Sequence, residues 1–452
     1  MKSILGFGLF GIVVSSATAI AAQVVDVHLD STTTFQTIVG WEATVELDSK
    51  PIEMPRTGTR DAEIINRAID EIGINRLRFE IRSGTENTSR MLSRVQRGEA
   101  TYDQWVAERY AVVNDNNDPA KINWDGFDFT ELDWQIDNAI LPMLEIFETR
   151  GEKLFLNLCY VAFTEHITDG VYLHDDPEEY AEFVLATYLH MDEKYGFVPD
   201  AWEVILEPDK VHEWRRDPTL IGWAIVSTAR RLKEHGFTPS FIAPSVLSMG
   251  NAVPYFDALA SVPGAAQHVR ELSYHRYRNG DLRAVDARAR QFGINASMLE
   301  LWFGRATYEV LYDDLKRGNN VAWQGRVLAG LFDFNNTQNG EPLKLQEDVR
   351  YNRQYTAYIK AGAVRIDAQT SDPGVFDPLA FINPNGGQIV VIKARQRGNV
   401  AIHGLPEGSY EISYAVENGS SIAPRLATVQ TGGSLQTTIP GRGVFTIAAA
   451  KR

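Results

Sequence analysis

The sequence predicts an α/β protein: a (β/α)8 TIM barrel followed by a C-terminal all-β sandwich domain. Between residues 35 and 331, short strand-like runs alternate strictly with helical runs, at about 35 to 45 residues per unit. Eight such units favour a parallel sheet that closes on itself. After residue 361 the pattern changes to short alternating strands separated by Gly, Pro and Asn, which is typical of a β-sandwich.

The barrel prediction extends over residues 35–355 and the sandwich over residues 356–452. An additional strand, within residues 23–34, precedes the barrel, and we predict that it pairs with the sandwich. A long polar segment, residues 83–123, has the character of a loop region that decorates a binding face. The predicted barrel strands are 35–45, 74–81, 153–161, 202–206, 241–243, 271–275, 294–300 and 320–324. The predicted helices are 61–72, 131–149, 176–194, 218–235, 253–260, 282–291, 307–317 and 325–331.

Composition limits the cellular context and the partners of the protein. The chain has 452 residues, and its net charge of −15 argues against nucleic acid or an anionic membrane as a partner. A positive start, an apolar run and a small-residue stretch make residues 1–22 a predicted signal peptide, so we expect a secreted protein, extracellular or periplasmic. No membrane span is expected. The single cysteine, Cys159, excludes an intrachain disulfide.

Two glutamates are predicted to lie at the ends of barrel strands. Glu207 follows the apolar run Val204–Leu206, and Pro208 stops the strand there because proline lacks a backbone donor. Glu300 ends the run 294–300 in the same way. Taken alone, Glu207 fits a surface glutamate at the start of a loop. Together, the two fit a pair of carboxylates at the carboxyl-terminal end of the barrel, where the active sites of such barrels lie.

Side-chain alternation places further residues inside the predicted barrel. The apolar face of strand 74–81 should meet the helices, which leaves Arg78 pointing inward. Arg78 and the hydroxyl of Tyr277 would keep Glu300 ionised. Glu203 shares a face with Glu207, and we expect it to pair with Arg76. A purely structural ion network remains an alternative reading of these residues.

Two carboxyl groups are what glycoside cleavage requires. One acid protonates the leaving oxygen, and one carboxylate attacks the anomeric carbon or activates water. Trp323, at the end of the last predicted strand, fits either a stacking floor for a sugar ring or a core tryptophan.

Several short motifs, taken in order, resemble glycoside hydrolase clan A, and most of all family 30, which contains glucosylceramidases and some xylanases. The resemblance covers essentially the whole chain after residue 22. It is carried by Gln36-Thr-Ile-Val-Gly-Trp41, Arg76-Leu-Arg78, Glu207-Pro208, His275-Arg-Tyr277, Glu300 and Trp323.

The resemblance implies Glu207 as acid/base and Glu300 as nucleophile of a retaining enzyme without cofactor or metal. It also implies five substrate-binding residues, namely Trp41, Arg78, His275, Tyr277 and Trp323. Two departures concern the substrate. Leu206 stands where the family has an asparagine that contacts the sugar 2-hydroxyl, and the residues after Trp41 lack the usual glycines.

The favoured hypothesis is therefore a secreted retaining glycoside hydrolase that cleaves β-linked glycans, polysaccharide or oligosaccharide, by double displacement. The alternative is a non-catalytic carbohydrate-binding barrel, with Leu206 as the mark of lost chemistry. A metal-dependent hydrolase has weak support, because His166, His174 and His275 are scattered and lack the spacing of a metal motif.

Overall fold

A computed structural model describes residues 24–50, 59–167, 171–334, 341–417 and 424–450 of the chain. Its central feature is a closed barrel of eight parallel strands, which confirms the predicted fold class. Strand β1 (Val24–Thr37) precedes the barrel. The barrel strands are β2 (Gly40–Thr44), β3 (Arg76–Arg82), β4 (Phe155–Val161), β5 (Ala201–Glu203), β6 (Phe241–Ser248), β7 (Val269–Arg278), β8 (Asn295–Glu300) and β9 (Ala322–Val327).

Helices cover the outside of the barrel and bury apolar faces against its strands. Two of them continue through a π-helical turn, at Ala68–Ile72 and at Ile136–Ile140. The helices are α1 (Asp61–Arg67), α2 (Met91–Gln96), α3 (Tyr102–Glu108), α4 (Thr130–Gln135), α5 (Leu141–Thr149), α6 (Pro177–Tyr195), α7 (His212–Arg216), α8 (Thr219–Glu234), α9 (Ala252–Ala260), α10 (Leu282–Gln291), α11 (Tyr308–Arg317) and α12 (Glu347–Thr356).

Local sequence signals explain where several helices begin and end. The Asp176 side chain accepts a hydrogen bond from the backbone of Glu178 and caps α6, and Gly196 ends that helix in the left-handed conformation. Gly73, with φ +88°, ends the segment that starts with α1. A Cβ at this position would collide with the carbonyl oxygen of Thr356, so α12 packs closely here.

The predicted helix 325–331 is wrong. Strand β9 continues to Val327 because Gly40–Thr44 of β2 pairs with it, and only a 3-10 turn, Ala329–Leu331, follows. The helix after the last barrel strand is α12 instead. The polar segment 83–123 is also more ordered than expected, since it contains α2 and α3.

The C-terminal domain is a largely antiparallel nine-stranded sheet with its own apolar core. Strand β1 lies inside this sheet, antiparallel to one neighbour and parallel to the other. A two-stranded ribbon, β10 (Phe332–Asp333) with β11 (Lys344–Leu345), lies between barrel and sheet in the chain. The other strands of the large sheet are β12 (Val364–Thr370), β13 (Phe376–Ile382), β14 (Gln388–Ala394), β15 (Gly398–His403), β16 (Gly408–Val416), β17 (Arg425–Val429), β18 (Leu435–Ile439) and β19 (Gly443–Ala449).

Charged side chains fill part of the barrel interior. Arg76 is fully buried and donates to Glu42 and, at 2.8 Å each, to both carboxylate oxygens of Glu271. The predicted Arg76–Glu203 pair is therefore wrong, because the β2–β3 register sets Glu42 directly beside Arg76. Glu203 instead accepts a hydrogen bond from Asn157 at 2.8 Å.

The predicted signal peptide, residues 1–22, lies outside the described residues. Within the described ranges, no helix combines the length and apolar character that crossing a bilayer requires.

Candidate active site

Glu207 and Glu300 meet at the carboxyl-terminal mouth of the barrel. Glu207 follows β5, and Glu300 is the last residue of β8. One oxygen of each carboxylate and a ring nitrogen of His275 lie within 4.8 Å of one another. Each glutamate is only 4% exposed. Two buried carboxyl groups thus lie close together at the mouth of the barrel.

Glu300 is held by a cation and a hydroxyl. Arg78, which points into the barrel as predicted, donates from Nη2 to Oε2 of Glu300 at 2.5 Å. The hydroxyl of Tyr277 donates to Oε1 at 2.8 Å and accepts from the backbone of Trp302 at 3.2 Å. Burial alone would lower the pKa of Arg78, but the charges of Glu300 and Glu203 raise it. The carboxylate of Glu300 therefore keeps a permanent positive partner.

Tyr277 acts only as a hydrogen-bond donor toward Glu300. Burial, followed by the charge of Glu300, raises the pKa of the Tyr277 hydroxyl. Its proton therefore stays in place across the pH range of ordinary enzymes.

The backbone turns sharply at Glu207. Its φ of 50° lies in the left-handed region, a conformation that costs a non-glycine residue about 1 to 3 kcal/mol and that is concentrated at functional sites. The amide of Glu207 donates to the carbonyl of Ser245 at 3.0 Å. Two residues on, the carboxylate of Asp209 accepts from the amides of Leu247 at 2.8 Å and Ser248 at 3.1 Å. These bonds fix the Glu207 loop to β6.

Glu207 has two basic neighbours. His275 Nδ1 lies 3.1 Å from Oε1, and Lys210 Nζ lies 3.4 Å from Oε2. Burial alone would raise the pKa of Glu207, but the hydrogen bond and charge of His275, with Lys210, outweigh it and lower that pKa. Burial alone would lower the pKa of His275, whereas Glu300 and Glu207 raise it. The hydrogen bond thus favours the ionised form of Glu207 and the protonated form of His275.

Aromatic side chains line the cavity above the carboxylates. The cavity has a volume of about 480 Å³. Phe303 stands at its rim with 81% of its surface exposed, and Trp302 lies against Arg78, whose guanidinium carbon is 5.5 Å from the ring centroid. Phe303 thus presents an exposed aromatic ring at the cavity that contains the two carboxylates. The aromatic lining comprises Tyr110, Phe163, Tyr277, Trp302 and Phe303.

The structure brings Arg78, His275 and Tyr277 to the carboxylate pair, but it does not bring Trp41 or Trp323 there. Trp41 is buried and its Nε1 donates to the carbonyl of Ile359 at 2.7 Å. Trp323 is buried and its Nε1 donates to Asp314 at 3.0 Å. Both indoles therefore pack in the core outside the barrel.

Sequence reasoning missed Trp302 and Phe303 as cavity residues. They lie two and three residues after Glu300, and this proximity to a strand-end carboxylate was a usable signal. Tyr110 lies in the segment 83–123 that was predicted to decorate a binding face, and Phe163 lies two residues after β4.

Glu207, His275 and Glu300 are also the described residues whose donor atoms lie close enough together to hold a metal ion. Arg78 pairs with Glu300, while His275 and Lys210 pair with Glu207. Cationic groups thus already engage the lone pairs that a metal would need. The arrangement fits nucleophilic attack and proton transfer better than metal binding.

A scan of protein-family models finds no match to this chain, and neither does a search of curated proteins. Among solved structures, the chain has the fold of clan A glycoside hydrolases of the family 30 (GH30) type, which confirms the resemblance seen in the motifs. Because the sequence identities are 15% or lower, this structural similarity establishes the fold alone.

Three solved structures illustrate the match. The catalytic domain of GH30 xylanase C from Talaromyces cellulolyticus is 15% identical, with a TM-score of 0.66, covering 94% of this chain and 100% of that one. A GH30 endoxylanase from Clostridium papyrosolvens C71 is 15% identical, with a TM-score of 0.64 and coverages of 95% and 100%. An endo-β1,6-glucanase is 13% identical, with a TM-score of 0.60 and coverages of 94% and 94%.

Proposed function

We propose that the protein is a retaining glycoside hydrolase that cleaves β-linked glycans by double displacement. One observation carries the proposal: an oxygen of Glu207 lies within 4.8 Å of an oxygen of Glu300. Retaining enzymes hold their two carboxyl groups about 5 to 5.5 Å apart, whereas inverting enzymes separate them by about 6.5 to 9.5 Å to admit water. The close spacing supports direct attack by one carboxylate.

Glu300 is the nucleophile in this proposal and Glu207 is the acid/base. In the first step, an oxygen of Glu300 bonds to the anomeric carbon while the bond from that carbon to the leaving oxygen breaks. Glu207 gives its proton to the leaving oxygen. In the second step, Glu207 takes a proton from water, the water oxygen bonds to the anomeric carbon, and Glu300 leaves. Arg78 and Tyr277 stabilise Glu300 each time it regains its charge.

The substrate class that we propose is a β-linked polysaccharide or oligosaccharide. The aromatic rim supports it, since Phe303 offers an exposed ring for a sugar next to the reacting one. The names of similar structures, xylanases and an endo-β1,6-glucanase, point in the same direction. We further propose secretion, on the evidence of the signal-peptide pattern in residues 1–22.

The non-catalytic carbohydrate-binding barrel is not favoured. A protein that had lost its chemistry would have no need of two buried carboxylates, each with its own charged partners.

The test is the anomeric configuration of the first product. The purified full-length protein is incubated with xylan, β1,4-glucan, β1,3-glucan and β1,6-glucan, and proton NMR follows the reducing end. We expect the β-anomer to form first on the glycan that is cleaved. First formation of the α-anomer would contradict the double-displacement mechanism. Binding without any product across the panel would support the carbohydrate-binding barrel.

Replacing Lys210 by Met should move the alkaline limb of the pH profile to higher pH. Lys210 helps to lower the pKa of Glu207, and loss of the Glu207 proton sets the alkaline limit of an acid-catalysed step. Without Lys210, Glu207 keeps its proton to higher pH. Because Lys210 is half exposed, we expect kcat/KM on the alkaline side to rise only about two- to fivefold.

Lys153→Met is the matched control for this measurement. Lys153 is exposed, precedes β4 at the opposite end of the barrel, and pairs with Asp200. Its profile should coincide with that of the wild type. An unchanged alkaline limb in Lys210→Met would show that Lys210 does not act on the proton donor.

A further inference from the structure

A second cavity lies beside the one that contains Glu207 and Glu300, and its volume is about 310 Å³. Glu80 and Trp302 line both cavities, so the two spaces adjoin each other. The segment after β2 and the helices α3 and α4 supply most of the remaining lining. The volume corresponds to about ten water molecules, which is enough space for one sugar residue.

Aromatic rings that a ligand can reach line this second cavity. Tyr102 is 48% exposed, and Trp134 and Trp302 are half-buried. The ring of Trp105 lies behind Tyr102, with 5.5 Å between the two ring centroids. Partly exposed aromatic rings offer apolar faces to the C–H groups of a sugar.

The charged side chains of the second cavity balance one another. Its lining contains three cations and three carboxylates, namely Lys50, Arg82, Arg109, Glu46, Glu80 and Glu131. Arg82 pairs with Glu131 and, at 3.4 Å, with Glu80. A charged ligand would meet groups of its own sign here, whereas the hydroxyls of a neutral sugar can donate to the carboxylates and accept from the cations. The balance of charge therefore favours a neutral sugar.

Arg109 contributes hydrogen-bond donors that the protein itself does not use. Within the described ranges, its guanidinium forms no ion pair and no side-chain hydrogen bond, and its Nε is buried without a partner. The guanidinium carbon lies 5.5 Å from the ring centroid of Trp105 and 5.0 Å from that of Tyr110. Contact with aromatic rings orients a guanidinium, so its terminal nitrogens are available to oxygen atoms of a ligand.

The position of Glu207 shows which part of a substrate the second cavity can hold. Arg78 connects the two cavities, because its Nη2 lies 2.5 Å from Glu300 and 3.4 Å from Glu80. Glu207 and Lys210 line the first cavity and not the second. Since Glu207 gives its proton to the leaving oxygen, the leaving part of the substrate lies on the Glu207 side. The second cavity, on the Glu80 side, is left for the part of the chain that stays bound to the reacting sugar.

We propose that the second cavity binds a neutral sugar residue attached to the sugar that reacts with Glu300. The protein then acts on chains with at least two sugars on the retained side of the cleaved bond. Tyr102, Glu46 and Lys50 are exposed, so the outer end of the cavity leaves room for a longer chain. This inference rests on the proposed function.

Chromogenic glycosides of one and of two sugars test the inference on the purified full-length protein. The monosaccharide substrates are 4-nitrophenyl β-D-xylopyranoside and 4-nitrophenyl β-D-glucopyranoside. The disaccharide substrates are the 4-nitrophenyl β-glycosides of xylobiose, cellobiose, laminaribiose and gentiobiose. All share one leaving group, and we expect kcat/KM to be at least about 100-fold higher for the disaccharide that matches the cleaved polysaccharide, because binding energy away from the reacting bond lowers the barrier. The products should be 4-nitrophenol and the intact disaccharide.

Equal values of kcat/KM for the matching monosaccharide and disaccharide glycosides would overturn the inference while the glycosidase itself stands. Cleavage of a polysaccharide without turnover of the matching disaccharide glycoside would overturn it as well. If neither a glycoside nor a polysaccharide of the panel is cleaved, the proposed function fails and the inference fails with it.

Two variants separate the second cavity from other causes of a preference for longer substrates. Arg109→Met removes the free donors, and Tyr102→Ala removes the exposed ring. In each, the ratio of kcat/KM between disaccharide and monosaccharide glycoside should fall by about tenfold or more. The ratio compares two substrates of the same variant, so a loss of folded protein does not change it, and circular dichroism checks folding.

Arg97→Met is the matched control for Arg109→Met. Arg97 belongs to the same segment, 83–123, but it is exposed, pairs with Glu99 at 2.8 Å and lines neither cavity. Its ratio should equal that of the wild type. A wild-type ratio in both folded Arg109→Met and folded Tyr102→Ala would overturn the inference.

Discussion

Replacing Glu300 by Ala is expected to reduce kcat/KM on every cleaved glycan by about 10⁴-fold or more. In the proposed mechanism no other group replaces Glu300, because Glu207, beside His275 and Lys210, serves as the acid/base. Initial rates on an aryl β-glycoside and on a polysaccharide measure the effect. Both substrates should lose activity alike, since the step that forms the covalent bond to Glu300 is the same step that releases either leaving group.

The control for this variant is Glu152→Gln, which removes an exposed carboxylate that lies before β4 and outside the cavity. Its rates should match those of the wild type. Sodium azide gives a second check, because the small anion can attack the anomeric carbon from the side that Glu300 occupies. Glu300→Ala should then form the α-glycosyl azide. Residual activity within about tenfold of the wild type would contradict the assignment of Glu300 as nucleophile.

Replacing Arg76 by Met is expected to lower the free energy of unfolding by about 3 to 5 kcal/mol. Arg76 is fully buried inside the barrel and is the shared cation of Glu42 and Glu271. Burial raises the pKa of Glu42, because the barrel interior disfavours the charged carboxylate. Burial also acts on Glu271, but Arg76 outweighs it and lowers the pKa of Glu271. Without the guanidinium, two buried carboxylates face each other uncompensated. Urea unfolding followed by circular dichroism measures the loss.

Arg317→Met is the matched control, because Arg317 is exposed and its nearest carboxylate oxygen, on Asp313, is 3.9 Å away. It should change the free energy of unfolding by less than about 0.5 kcal/mol. A loss below about 1 kcal/mol in Arg76→Met would mean that the buried ion triad does not hold the strands together.

The barrel was predictable from the sequence because local signals, namely hydrophobic periodicity and helix-capping residues, mark each β/α unit. The carboxylate pair was predictable for the same reason, since both glutamates end apolar runs. Alternation within β3 also sufficed to turn Arg78 inward toward Glu300.

The wrong predictions concern features that depend on contacts between residues far apart in the sequence. Residues 325–327 are extended because β2, far away in sequence, offers them backbone hydrogen bonds. Arg76 pairs with Glu42 and not with Glu203 because neighbouring strands fix the register. Trp323 packs in the core because it is the second residue of β9, where its indole N–H donates a hydrogen bond to Asp314 on α11.

The position of β1 affects how the protein is made on the ribosome. This strand lies between β12 and β15, whose residues are synthesised more than three hundred positions later. At about 5 to 20 residues per second, the segment waits on the order of 20 to 70 s for its partners. Strand β1 therefore stays without its partner strands while the barrel residues are being synthesised. The C-terminal sheet can form completely only after β12 and β15 have been synthesised and have paired with β1.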